Sequence, residues 1–210
     1  RRTSRHRRPD IVYSRDPALL LARPASAASV YEVHHPVDPR LRRLESALLG
    51  HRPPSLLVFI SEALRMHYAA TCADAGDIVS IVAPSGTPTP PMVPPPGDRD
   101  PVVGYLGHLG GGRADLLIEV ARAMPSRDIH AYGRTDRDVA GVPSNLHLHG
   151  PVPPDEVRPV LEGMDICLAP YTTSTKSVGG VATARWMSPL KVIEYMGHGR
   201  AVVASDLPAI

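Results

Sequence analysis

Ser188-Pro-Leu-Lys-Val-Ile-Glu-Tyr-Met-Gly-His-Gly-Arg-Ala-Val-Val-Ala-Ser-Asp-Leu-Pro208 is the stretch from which the rest of this chain can be read. Ser188 is a good N-cap, and Pro189 suits the first helical position, where a missing N–H costs nothing. Gly197 and Gly199 supply a C-terminal stop, and Ala201-Val-Val-Ala-Ser205 then reads as a buried parallel strand. The helix therefore opens with free backbone N–H groups, a hydroxyl at Ser188 and an ammonium at Lys191, which together form an anion site. Glu194 follows one turn later, where a carboxylate can accept two hydroxyl hydrogen bonds from a sugar ring. A helix that only packs has no reason to carry Ser, Lys and Glu at three-residue spacing. Phosphate at the helix mouth and ribose at the carboxylate describe a pocket for a nucleotide diphosphate.

Outward from this segment the same alternation repeats. Val102–Leu106, Asp128–Tyr132, Asn145–His149 and Asp165–Pro170 read as strands, with helices over Ala114–Ala123 and around Asp155–Met164, the latter limited by Pro159. Before them, Asp10–Asp16, Val30–His34, Leu56–Ile60 and Ile78–Ala83 read as strands. Pro17–Arg23 and the Leu41, Leu44, Leu48 spacing read as helices, and Ser61-Glu62 as a helix start. Strands alternating with helices argue parallel sheets covered by helices. The Pro-dense segment 91–101 is the linker, separating a half over residues 1–90 from a half over residues 102–210.

The Ser188–Pro208 segment resembles the donor-site motif of the group 1 (family 4) glycosyltransferases. These have the GT-B fold: two Rossmann-like, doubly wound α/β halves with parallel sheets. The resemblance implies that residues 1–90 are the later part of an acceptor-side domain and that residues 102–210 bind a nucleotide sugar. Both halves are then incomplete, and the chain, which opens on Arg1 rather than Met, is expected to be an internal fragment. In many family members an acidic residue stands eight positions before the ribose-binding Glu; here that position is Trp186, which puts the usual donor-sugar contact in question.

The resemblance implies a retaining, metal-independent hexosyltransferase that moves a sugar from a UDP- or GDP-linked donor to a sugar or glycolipid acceptor hydroxyl. No cofactor is expected beyond the nucleotide-sugar donor itself. Polysaccharide or glycolipid synthesis in a bacterium is the implied setting, cytoplasmic or peripheral at the inner face of the plasma membrane. Two other readings are a GT-B sugar-nucleotide epimerase and a non-catalytic or decayed nucleotide-binding module.

Donor-side candidates are Gly107, His108 and Arg113, in Gly104-Tyr-Leu-Gly-His-Leu-Gly-Gly-Gly-Arg113, together with Ser188, Pro189, Leu190, Lys191 and Glu194. Glycines let backbone approach a ligand, and a cation at a helix N-terminus opposes the dipole unless it faces an anion. With Lys191, Arg113 would neutralise a diphosphate leaving group. His34 matches the family's histidine at the end of a first-half strand, facing the transferring sugar, and is the catalytic candidate beside Glu194.

The remaining polar features read as structural. Asp98-x-Asp100 and Asp136-x-Asp138 lie in loops without the strands a metal-binding acidic pair requires. His147 and His149 share a strand face but lack further ligands nearby in sequence. Cys72 and Cys167 fit no metal or redox spacing. Five arginines in residues 1–8 suit the solvated end of a helix, and Thr172–Arg185 suits a loop bordering a crevice. At 210 residues, 43% hydrophobic and net charge +2, the chain has enough apolar content for a core and no general case for nucleic-acid binding. Abundant Arg, Ala and Pro with only Lys176 and Lys191 fit a high-GC bacterial genome.

Overall fold

The computed structural model describes residues 9–90, 98–136, 138–173 and 183–210. The chain divides into two compact units. The described residues of the first are 9–84, 183–188 and Ala209; those of the second are 85–90, 98–136, 138–173, 189–208 and Ile210. The arginine-rich start, most of the Pro-dense segment and the centre of the Thr172–Arg185 loop fall outside the described residues.

In the first unit the order is β1 (Ile11–Ser14), α1 (Pro17–Leu21), β2 (Ala28–Val33), α2 (Arg42–His51), β3 (Leu56–Phe59), α3 (Glu62–Thr71), α4 (Ala73–Gly76) and β4 (Ser80–Val82). The strands pair in parallel in chain order, joined by helical crossovers. Local chemistry starts two of those helices. Asp16 Oδ1 accepts from the Ala18 N–H at 2.8 Å with Pro17 alongside, and Ser61 Oγ accepts from the Leu64 N–H at 3.3 Å.

Register places Tyr31 beside Leu57 and Val33 beside Phe59, so β2 and β3 share an apolar face on which Leu20, Leu48, Leu64 and Tyr68 pack. Buried Glu45 is the polar exception: its Oε1 accepts from the hydroxyls of both Tyr31 and Tyr68 at 2.7 Å. Burial, then the Glu45 charge, pushes both phenols far above their usual range, so both remain donors. Trp186 packs against this same core. Its ring lies 4.6 Å from His67, its carbonyl accepts from Ser61 Oγ at 2.7 Å, and the Arg185 guanidinium sits 4.9 Å above the indole.

In the second unit the order is β5 (Val103–Leu106), α5 (Arg113–Ala123), β6 (Ile129–Tyr132), β7 (Leu146–Gly150), α6 (Val157–Glu162), β8 (Ile166–Ala169), α7 (Leu190–Gly197) and β9 (Ala201–Ala204). The five strands are parallel in the order β7-β6-β5-β8-β9, so strand order reverses at β5. That reversal opens a crevice at the carboxyl ends of the strands. On one face Leu117, Ile118 and Ala121 of α5 pack on Ile129, Ala131 and Leu146. On the other, Leu161, Met164 and Tyr195 pack on Cys167 and Ala169. Pro159 falls in the first turn of α6, where no intrahelical N–H is needed.

Two expectations change here. Ala201–Ser205 was expected to be a buried strand, but β9 is the last strand of the sheet and alternates in exposure, with Val203 58% exposed. Ser188 was expected to cap α7, but the cap position is Pro189 and the helix begins at Leu190. With ψ at 78°, Pro189 is still outside helical geometry, which leaves Ser188 one position too early to cap.

The Asp98-Arg-Asp100 segment fixes the entry to β5. Arg99 reaches the Asp165 carboxylate at 2.7 and 3.0 Å, Asp165 also accepts the Val102 N–H at 2.7 Å, and Asp100 pairs with Arg127 at 2.5 Å. No helix among the described residues is long and apolar enough to cross a membrane.

Candidate functional site

The crevice of the second unit contains a cavity of about 580 Å³. Gly107, His108, Tyr132, Asp136, Lys191 and Glu194 are among the residues that line it. Its floor depends on two glycines. Gly107 (φ 144°) and Gly133 (φ 154°) end β5 and β6 in backbone conformations that favour glycine. A Cβ on Gly133 would overlap the carbonyl oxygen of Gly107, so the two loops meet backbone to backbone. The Gly107 N–H donates to the Tyr132 carbonyl and the Leu109 N–H to the Arg134 carbonyl, each at 2.8 Å.

The wall is set by α7. The Tyr195 hydroxyl accepts the Leu106 N–H at 3.0 Å and donates to the Leu106 carbonyl at 2.9 Å, tying the helix to the end of β5. Lys191 lies one turn before Tyr195 on the same helix face, so this tie carries its ammonium to Gly107. A Cβ on Gly107 would overlap Lys191 Nζ. At the other end of α7, Gly199 (φ 68°) closes the helix. The Arg200 N–H donates to the Tyr195 carbonyl and the Gly199 N–H to the Met196 carbonyl, both at 2.9 Å.

The electrostatics centre on two cations, Lys191 and Arg113. Burial, then the neighbouring Arg113, lowers the Lys191 pKa, and Glu194 only partly opposes this. Arg113 Nη1 donates to the Gly110 carbonyl at 2.9 Å, while its buried Nε has no hydrogen-bond partner among the described residues. Neither cation has a carboxylate within ion-pair distance among those residues. Two half-buried cations in this state are complementary to an anion. The Lys191 backbone N–H is directed at the Tyr171 hydroxyl, so part of the helix mouth is already engaged. His108 Nε2 pairs with Asp136 Oδ1 at 2.7 Å, joining the two loops above the glycines.

Of the residues singled out from sequence, Gly107, His108, Lys191 and Glu194 line the cavity; Arg113, Ser188, Pro189 and Leu190 do not. His34 belongs to the first unit, just past β2, at a separate cavity of about 180 Å³ shared with Arg15, Glu32 and Asp38. Its Nε2 lies 3.1 Å from Glu32 Oε1 without hydrogen-bond alignment, and its Nδ1 is 3.5 Å from Arg15 Nη1. A larger depression of about 680 Å³ runs along α2 past Arg42, Arg43 and Ser46, but those side chains are exposed and converge on no point. Among the described residues no three His, Cys, Asp or Glu side chains converge as a metal shell.

Sequence reasoning passed over Tyr195 and Gly133, and read Asp136 only as a loop residue without a metal role. The first stood within the quoted segment, and the others within Gly133-Arg-Thr-Asp136 directly after a strand.

A doubly wound unit with a cation-lined crevice at its switch point, in one chain with a second parallel-sheet unit, is the architecture of GT-B glycosyltransferases. Residues 100–210 match the family profile described as "Glycosyl transferases group 1". The chain belongs to that family. Among solved structures it is similar to AviGT4, a glycosyltransferase involved in avilamycin A biosynthesis (15% identity, 94% of this chain and 56% of that one, TM-score 0.63). It is also similar to the apo lipopolysaccharide outer core galactosyltransferase WaaB (20% identity, 95% and 57%, TM-score 0.59). A third similar structure is the pneumococcal O-GlcNAc transferase GtfA in complex with UDP and GlcNAc (14% identity, 87% and 38%, TM-score 0.50). The chain spans little more than half the length of the first two. A search of curated proteins returned no match.

Proposed function

We propose that this protein is a glycosyltransferase whose second unit binds the nucleotide-diphosphate part of a sugar donor. The observation that carries the reading is the ammonium of Lys191 against Gly107 beside Arg113, with no carboxylate pairing either cation among the described residues. Lys191 would meet the diphosphate directly, and Arg113 would add to the field that stabilises the departing phosphate. Glu194, one turn into α7 and in the same cavity, would accept the ribose hydroxyls. His34 and the polar cavity around it would serve the acceptor side.

The family reading extends this to transfer with retention of configuration onto an acceptor hydroxyl, without a metal. The leaving diphosphate would take the proton. Hexosyl transfer in polysaccharide or glycolipid synthesis, near the inner face of a bacterial membrane, is the setting that reading favours.

Calorimetric titration of the chain with UDP and with GDP, beside a Glu194→Ala variant, tests it. Binding of one nucleotide, weakened about tenfold or more in the variant, is expected. A folded chain that binds neither would overturn the donor reading.

A further inference from the structure

At the edge of the second sheet β7 holds one residue more than its partner. Ala131 stands opposite Leu148 and Tyr132 opposite Gly150, so His149 is the extra residue of a β-bulge. Bulges re-aim side chains. Here the His149 ring lies flat on Tyr132, with centroids 4.4 Å apart and planes within 15°. The row continues from His149 to His130 (5.2 Å, 24°) and from His130 to His147 (5.0 Å, 22°), and His147 Nε2 ends on Asp128 Oδ1 at 3.0 Å. Its other end reaches the cavity: Tyr132 lines it, as do Pro151 and Val152, which follow the end of β7 at Gly150.

Within the row, His130 Nδ1 and His149 Nε2 are 2.9 Å apart. Such a contact is a hydrogen bond only while one nitrogen carries a proton and the other a lone pair. Full protonation of both rings would set two N–H groups head to head and bring two cations into contact. The groups around His130 act in the same sense: burial, then His147 and His149, hold its pKa below the usual imidazole range, with Asp128 opposing.

We propose that His149 and His130 form a proton-sensitive support for Tyr132, so that the cavity holds a nucleotide well while one facing nitrogen is bare and poorly once both are protonated. His149 is thus a positioning residue acting through Tyr132. The nucleotide half of this rests on the function proposed above.

The test needs two readouts, because His108, Arg134, Asp136, Lys191 and Glu194 also face the cavity and the phosphate itself titrates. His149→Phe keeps a ring on Tyr132 without a proton site; His130→Asn leaves the His149 ring in place and removes only the facing proton site, so it is expected to flatten the affinity profile. In the ligand-free chain, the NMR signals of the Tyr132 ring, assigned by Tyr132→Phe, should move between about pH 7.5 and 5 in the wild type and move clearly less in His149→Phe, which has no proton site on the tyrosine. Static wild-type signals would overturn the proposal. Over the same range wild-type affinity for UDP or GDP should fall more steeply than that of the variants, by up to about tenfold per pH unit. Parallel affinity profiles would also overturn it. If Tyr132 titrates as described but neither nucleotide binds at any pH, the donor reading falls and the support of Tyr132 stands.

Discussion

The ammonium of Lys191 fills the space beside Gly107 that a side chain at that position would need. The two residues are 84 positions apart (191 − 107 = 84), and β5 and α7 meet there because Tyr195 binds both backbone groups of Leu106. The absence of a side chain at 107 is therefore what admits a cation to the cavity floor.

Gly107→Ala should remove that arrangement. The new methyl displaces the ammonium and forces a strained φ, at a cost of about 1–3 kcal/mol, with nucleotide affinity falling about tenfold or more. Gly133→Ala should be the more destabilising, because its obstacle is the Gly107 carbonyl rather than the end of a flexible chain. Urea denaturation and calorimetry on both variants check the ranking.

Lys191→Met should separate stability from binding. The Lys191 pKa is lowered by burial and by Arg113, so between that value and the ordinary 10.5 the unfolded chain holds more protons. Wild-type stability therefore gains with rising pH across this window, and the variant should lack the gain. Near neutral pH the variant, freed of a desolvated cation, should melt a few degrees higher. Its nucleotide affinity should fall about 10- to 100-fold. Thermal melts at several pH values, with parallel titrations, read both effects.

Asp165 should make the second unit acid-sensitive. Burial disfavours its charge, but the Val102 N–H, Arg99 and Arg200 outweigh this and hold the carboxyl below its ordinary value of 3.8. The stabilisation is complete above that value and is lost as pH falls through the lower folded one. Because Arg99 is half exposed, Asp165→Asn should cost only about 1–2 kcal/mol at neutral pH. Denaturation curves of wild type and variant should converge in strong acid.

Trp186→Ala should act on the first unit alone. Loss of the indole from the His67 and Arg185 contacts is expected to cost about 2 kcal/mol, with nucleotide affinity unchanged. Trp186→Glu, which places a charge at that core, should destabilise further. A gain in nucleotide affinity for Trp186→Glu would instead indicate that this position serves the donor.

Much of this molecule was open to a reading of its sequence, because the relevant forces act over a few residues. Asp16-Pro17 and Ser61 start their helices by bonding N–H groups within the next turn, and apolar runs such as Leu56–Ile60 can only be strands or core. Lys191 and Glu194 fall in one cavity because three residues is nearly one helical turn. What sequence could not supply is whatever depends on distant segments meeting. Ser188 lost its capping place to the backbone angle at Pro189, Arg113 turned back to its own loop, and Trp186 joined the core of the first unit. Likewise the Lys191–Gly107 contact, the glycine-to-glycine approach at 107 and 133, and the histidine row behind Tyr132 arise from strand order and register. Those are settled by packing across the sheet, where one extra residue in β7 is enough to turn His149 onto Tyr132.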